Sequence, residues 1–321
     1  MIVDFKADNY SYEKLIGDAY CLANKYSEIL KYVTVGKSHD NRDIILLKLG
    51  IGKQHMICCS GVHARENVNP IVMLRIIEDY AEFYYKHKKQ KQDFKKKDNY
   101  KKIRDNVEYE NIIYGTCIYE ILQTFTILFI PLLNPDGYMI SLYGFDTINN
   151  PELRDKCKAK HESDTEWKYN ARGVDLNRNF PSILYRPKDP GDYAASENET
   201  KALITLFHEY RSKGFLDFHS RGKQIYYYRR IMSDAYNAKQ KEIALRLAGV
   251  TNYVLNPPEI EVDPGDTGGN TVHYYSERFK KPALTIETID EDAKFPLDIK
   301  YRESTFDELK LVILEFGCRI I

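Results

Sequence analysis

The chain reads as an α/β protein, an α/β/α sandwich around a mixed, largely parallel sheet. Three observations predict this: short apolar runs without polar alternation, as strands buried on both faces have, helical periodicity between those runs, and turn or capping residues at the junctions. With 321 residues, 43% of them apolar, and no Gly/Ser-rich or Pro-rich linker, one large core over residues 1–321 is expected, a single domain.

Taken in order, Tyr12 to Tyr32 has helical periodicity, and the run Asp43 to Leu49 ends at Gly50 as a strand does. A turn at Gly52-Lys53 leads to the apolar run Met56-Ile57-Cys58-Cys59. Asn69-Pro70 then reads as a helix start, Asn as the cap and Pro in the first turn, with the helix running through Ile71 to Tyr85. The lysine-rich stretch from Lys86 to Arg104, with Asp93 and Asp98 interspersed, predicts a solvated helix end or loop. Thr124 to Leu133 predicts a buried strand ending in a turn at Asn134-Pro135-Asp136-Gly137. Ser196-x-x-Glu199 is a capping-box pattern for a helix through Tyr210 that stops near Gly214. Strands follow at Phe215 to Phe218, Gln224 to Tyr228 and Pro282 to Ile289, with a helix near Ala235 to Ala248. Thr305-x-x-Glu308 predicts the cap of a last helix through Phe316.

Composition narrows the function. The formal net charge is zero, so no global field favours nucleic acid or an anionic membrane. The charged residues Asp4 and Lys6 stand where a secretory signal needs an apolar core, and no run is long enough to span a bilayer, which predicts a cytoplasmic protein. The six cysteines lack metal-type spacing, and adjacent Cys58 and Cys59 should point to opposite faces of a strand as reduced core thiols. Oligomeric state cannot be read from the residues.

The chemistry lies in His63-x-x-Glu66, just after the first buried run, together with Phe218-His219-Ser220 far downstream. Two imidazoles and one carboxylate are three ligands of an open zinc site, whose fourth position holds water with its pKa lowered from about 15.7 towards about 7. A bare His-x-x-Glu occurs by chance, but this one sits in a strand-to-helix loop, where α/β sheets place ligands. Glu287 lies in the apolar run Ala283 to Ile289, a costly place for a carboxylate without a role or partner.

The ordered set Gly-Val-His63-Ala-Arg65-Glu66, Asn134-Pro-Asp136-Gly-Tyr, Arg172-Gly-Val-Asp175-Leu-Asn177-Arg178-Asn179-Phe, His219-Ser220 and Thr285-Ile-Glu287-Thr resembles the zinc carboxypeptidases of the carboxypeptidase A type. The resemblance implies one zinc per chain held by His63, Glu66 and His219, and Glu287 as general base. It also implies that Asn177 and Arg178 grip the substrate's terminal carboxylate and that Asp175 orients His63. Each role is physically sound. A carboxylate beside metal-bound water can take and return a proton, the guanidinium fork matches a carboxylate, and a second carboxylate fixes a ligand ring. Arg65 is expected to line the cleft, and Ser220 to contact substrate.

Two departures shape the substrate. The family's carbonyl-polarising arginine has no match, and Lys168 of Trp167-Lys168-Tyr169-Asn170 is expected to stand in, as a point charge without the fork. The family's mobile tyrosine has no equivalent before Gly268-Gly269. The loop there is acidic, with Asp263 and Asp266, and with Thr267 and Thr271 suits a substrate carrying an amine. The phrase Trp-Lys-x-Asn-x-Arg-Gly-Val-Asp-Leu-Asn-Arg-Asn resembles a bacterial branch, the γ-D-glutamyl-diaminopimelate peptidases. It implies a peptidoglycan stem peptide as partner, with Arg178 on the diaminopimelate α-carboxylate and the 263–271 loop and Arg229 near its distal end. An ordinary carboxypeptidase removing standard residues needs the same machinery, and a zinc-bound recognition protein would need all of it but Glu287.

Overall fold

The computed structural model describes residues 1–8, 10–94, 106–160, 163–260 and 268–321. Helix α1 spans Tyr12–Lys25, capped by the Ser11 hydroxyl, which accepts from the Lys14 amide. It stops seven residues before the helical periodicity does, because Leu30–Lys37 is strand β1, whose Leu30 is buried. Asp43–Leu49 is β2, Gln54–Ser60 is β3 and Val68–Phe94 is α2. Asn69 does not cap α2. It lies inside the first turn, and its side chain donates to the His219 carbonyl at 2.7 Å. An unexpected helix, α3 (Asn106–Thr124), precedes β4 (Phe125–Ile130).

The expected turn at 134–137 is the start of helix α4 (Pro135–Tyr143), in which Asn134 caps Gly137. Pro151–Ala159 is α5 and Asn198–Tyr210 is α6. The capping box at Ser196 is not formed. Glu197 is the capping residue and uses no side-chain bond, while Ser196 Oγ instead donates to Glu197 Oε1 at 2.7 Å. Helix α6 ends with Arg211 in the left-handed conformation, ahead of Gly214. There follow β5 (Phe215–Ser220), β6 (Gln224–Tyr226), α7 (Asp234–Thr251), β7 (Val254–Leu255), α8 (Thr271–Phe279) and β8 (Ala283–Thr288). The chain closes with α9 (Tyr301–Leu309) and α10 (Val312–Ile320), so Thr305 is buried in mid-helix and caps nothing.

Among the described residues the strands form one eight-stranded sheet in the order β1-β2-β4-β3-β5-β8-β6-β7. Its centre, β4-β3-β5-β8, is parallel, and antiparallel pairs join β1 to β2, β2 to β4 and β6 to β8. Helices cover both faces. Met56 and Cys58 pack into a cluster with Leu22, Ile77 and Phe316, whereas Ile57 and Cys59 pack with Leu206, Phe207 and Tyr275 on the other face. The adjacent cysteines thus point apart, as a two-residue repeat requires. A smaller cluster around Trp167, with Ile140, Ile148 and Cys157, lies under the segment carrying Lys168.

No helix among the described residues is long and apolar enough to cross a membrane. The lysine-rich stretch lies largely outside the described residues; within α2, Lys86 pairs with Glu82 and Lys88 with Glu28.

Candidate metal centre

The parallel strands β3, β5 and β8 end at one edge of the sheet, and their register fixes what meets there. His219 and Glu287 are partners across β5 and β8, so both side chains leave the same face of the pleat. Asp217, two residues before His219, shares that face. His63 and Glu66 come from the loop between β3 and α2. The His219 carbonyl is held at 2.7 Å by Asn69 and at 3.1 Å by Thr288, which ties the end of β5 to the start of α2.

His63, Glu66 and His219 come together with donor atoms all within 4.8 Å of one another. Nδ1 of His63 lies 2.7 Å from Glu66 Oε1, and Nδ1 of His219 lies 3.1 Å from Glu66 Oε2. The two rings are 4.9 Å apart. Each turns its other nitrogen to an aspartate. Nε2 of His63 faces Asp175 at 3.2 Å, and Nε2 of His219 faces Asp217 at 3.1 Å.

This pairing tests whether a metal suits the site. A neutral imidazole has one N–H, so a ring donating from Nε2 presents a lone pair at Nδ1. Both Nδ1 lone pairs then confront carboxylate oxygens, which repel them unless the rings take up a second proton or a cation stands between. A divalent cation among the three turns both confrontations into ligand bonds, and two nitrogens with a carboxylate is a donor set that zinc accepts. The residues fit zinc.

The electrostatics agree with a site built for positive charge. Burial alone would lower the His63 and His219 pKa values, yet both stand raised, His63 by Glu66 and Asp175 and His219 by Asp217 and Glu66. Burial pushes Glu66 up, but the two imidazoles outweigh it and bring it to about 2. Asp175 is likewise held well below the carboxylate range, with His63, Lys168 and Arg178 overcoming its burial. Glu287 goes the other way, to about 7, because burial and the Glu66 charge outweigh the pull of the imidazoles. A cation in the ring would draw it back down.

Asp175 organises the neighbouring loop. It caps the 3-10 turn Leu176–Arg178 by accepting from the Asn177 amide at 3.0 Å, so one carboxylate holds both His63 and the segment presenting Asn177 and Arg178. The Lys168 ammonium lies 2.7 Å from the other Asp175 oxygen. In this arrangement it compensates Asp175, and the free polarising charge expected of it is tied up. Arg178 donates to the Asn177 carbonyl at 2.8 Å and lines the same cleft as Lys168.

Other expected contacts point elsewhere. Arg65 reaches Glu166 at 2.9 Å and stacks on Phe295 at 4.5 Å, with its side chain 31% exposed, so it sits at the rim. The Ser220 hydroxyl is buried against Asn69 and Thr288. Thr271 faces inward, its hydroxyl donating to Asp217 and its amide to the Asn177 side-chain oxygen at 3.1 Å. Arg229 is buried and donates to the Ala283 carbonyl at 2.9 Å, a bond that braces the start of β8. Asp263 and Asp266 lie outside the described residues.

Asp217 was not singled out in the sequence. It is fully buried, one oxygen lacks a partner, and the other faces His219. The available signal was a carboxylate in the apolar run Phe215 to Phe218, the same cost argument that marked Glu287. A second group of potential metal ligands, His39 with Glu197 and Glu199, is largely engaged by its neighbours, although Glu199 Oε1 is buried without a partner. Asn170 donates to Glu197 at 2.7 Å and to Glu199 at 3.3 Å, and Arg172 pairs with Glu197 at 3.0 Å.

Comparison with known proteins accords with this geometry. A model of the zinc carboxypeptidase family matches residues 18–109 and 114–300. The Gamma-D-glutamyl-L-diamino acid endopeptidase 1 of Lysinibacillus sphaericus is 25% identical over 237 residues, 68% of this chain and 52% of that protein. The Uncharacterized protein YqgT of Bacillus subtilis (strain 168) is 30% identical over 128 residues, 36% of this chain and 34% of that protein. The chain therefore spans about a third to a half of these relatives' lengths. Bovine thrombin-activatable fibrinolysis inhibitor, solved in complex with tick carboxypeptidase inhibitor, has the same fold, with a TM-score of 0.71 at 17% identity and 98% of each chain covered. Matched on most of its length, and with the motif residues converging at the carboxyl edge of the sheet, the chain belongs to the zinc carboxypeptidase family, whose members use one catalytic zinc.

Proposed function

We propose that the protein is a zinc-dependent peptidase, acting as one catalytic domain over residues 1–321, that hydrolyses the γ-D-glutamyl to meso-diaminopimelate bond of peptidoglycan stem peptides in the cytoplasm. One observation carries the reading. His63, Glu66 and His219 converge beside Glu287, and Asp175 joins that ring directly to the Asn177-Arg178 turn. A peptide held at its terminal carboxylate by Arg178 thereby meets the ring and Glu287 along one wall.

Zinc, when bound, supplies an activated water and an electrophile. The chain's own residues do the rest. Glu287 stands one strand from His219, where it accepts a proton and later passes it to the leaving amine. Asp175 and Asp217 hold the two rings with Nδ1 turned inward. Arg178 supplies a fork for the carboxylate of the departing residue. The diaminopimelate assignment is supported by the Trp-Lys-x-Asn-x-Arg phrase and by the name of the Lysinibacillus relative.

The test is product analysis by mass spectrometry after incubating zinc-loaded protein with α- and γ-linked tripeptides and with ordinary peptides. Release of diaminopimelate chiefly from the γ-linked peptide is expected. Equal release from α- and γ-linked forms removes the linkage claim, and trimming of ordinary peptides alone makes it a general carboxypeptidase. No turnover on any of them would leave a zinc-bound recognition protein.

A further inference from the structure

The balanced net charge hides an uneven distribution. A cleft of about 530 Å³ beside Asp175 is walled by six cationic side chains, Lys160, Lys168, Arg172, Arg178, Arg186 and Lys188. Only three carboxylates line it, Asp175, Asp189 and Asp192, in a chain whose 47 Lys and Arg balance 47 Asp and Glu. Much of this charge is committed. Lys168 pairs with Asp175, Arg172 pairs with Glu197, and Asp192 accepts from the Asp189 amide at 2.9 Å.

Arg186 and Lys188 are not paired with a carboxylate among the described residues. Both are exposed. Arg186 reaches main-chain carbonyls, those of Ile183 at 3.1 Å and Tyr185 at 2.7 Å, and no ion pair joins Lys188 to a carboxylate among the described residues. Lys160 adds charge from the far side, where its ammonium sits 4.5 Å over the Tyr169 ring. Gathering like charges around a concave surface raises the energy of the empty protein and concentrates anions there. Arg178 accounts for one carboxylate of a substrate, and the surplus asks for another.

We infer that Arg186 and Lys188 form a second anion subsite, which takes a substrate carboxylate other than the terminal one. This inference rests on the peptidase reading above and narrows its substrate class to peptides with at least two free carboxylates near the cleaved bond. Stem peptides offer that chemistry from two sources, the free α-carboxylate of a γ-linked glutamate and the distal carboxylate of diaminopimelate. A point-charge ammonium and a guanidinium whose donors are partly used on carbonyls favour attraction with modest geometric demand.

The experiment uses the zinc-loaded protein and three peptides: L-alanyl-γ-D-glutamyl-meso-diaminopimelate, the same with the glutamate α-carboxylate amidated, and the same with lysine replacing diaminopimelate. One of the two altered peptides should lose about tenfold in kcat/KM relative to the parent peptide, and which one loses it identifies the source. The Arg186→Ala/Lys188→Ala double variant, altered at exposed positions, should raise KM for the full peptide by about tenfold and erase the preference, with kcat nearly unchanged. Added salt should shrink the preference in the unaltered protein. Cleavage of all three peptides within about twofold, or a double variant that keeps the preference, overturns the subsite while the peptidase reading stands. Should no peptide be cut, that reading fails, and calorimetric binding of the full peptide to both proteins decides the subsite alone: a weaker double variant supports it, equal affinity overturns it.

Discussion

Replacing Asp217 by Asn should weaken zinc binding without unfolding the protein. His219 can ligate through Nδ1 only if its proton resides on Nε2, and the carboxylate beside Nε2, at an ion-pair distance of 3.1 Å, is Asp217. Asparagine keeps the size and can still satisfy Thr271, but it removes the charge that stabilises that tautomer and makes the ring a stronger donor. Partners of this kind are worth about 10–100-fold in metal affinity, or about 1.4–2.8 kcal/mol. The upper half of that range is expected, because Asp217 and His219 are buried and water cannot make up for the lost charge. Competition against a chromophoric chelator measures the dissociation constant, and circular dichroism with thermal melting of the metal-free protein checks the fold. An unchanged zinc constant in a folded Asp217→Asn protein would refute the orientation argument. Asp175→Asn supplies the internal comparison for His63, with a smaller loss expected because its side chain is 13% exposed.

Glu287→Gln should keep zinc while losing about 10²–10⁴ in kcat, and full turnover in a metal-loaded variant would remove the general-base assignment. Arg178→Ala forfeits charge-assisted bonds worth about 1.5–3 kcal/mol, so kcat/KM on peptides with a free terminal carboxylate should fall about 10–100-fold while carboxyl-amidated peptides are hardly affected. Glu199 carries a pH signature. Burial, with smaller contributions from Asp136 and Glu197 and opposed by His39, raises its folded pKa from 4.5 to about 7. The folded state thus binds the proton more tightly, and stability falls as pH rises from about 4.5 through about 7, by on the order of 3 kcal/mol. Urea titrations of Glu199→Gln between those pH values should show that slope flattened, and an unchanged slope contradicts it.

The metal ring could be read from the sequence because its residues are tied to short motifs next to strand ends. The sheet could be read because its central strands, such as Thr124 to Leu133, are apolar on both faces. What escaped depends on contacts between distant segments. Asp217 acquires meaning only when β5 sets it two residues below His219 on one face. Asn69 and Ser196 have the composition of caps, yet both side chains bond elsewhere, to the His219 carbonyl and to Glu197, since tertiary partners outcompete local ones. The overlong first helix followed from the apolar residues of β1, whose spacing also fits a helical stripe. Helix α3 was hidden because Tyr- and Ile-rich sequence carries strand propensity that packing against α2 and β4 overrides. Lys168 was expected to carry a free charge, and its pairing with Asp175 depends on a loop contact that the linear sequence does not display.

Thr271 has a consequence for anyone wishing to redesign selectivity. Its amide holds Asn177 and its hydroxyl holds Asp217, so the first residue of α8 is shared property between the turn proposed to grip a substrate and the carboxylate beside His219. Libraries that randomise this position for new specificities should yield many metal-poor clones, and screening them at saturating zinc would recover variants that ordinary buffers discard.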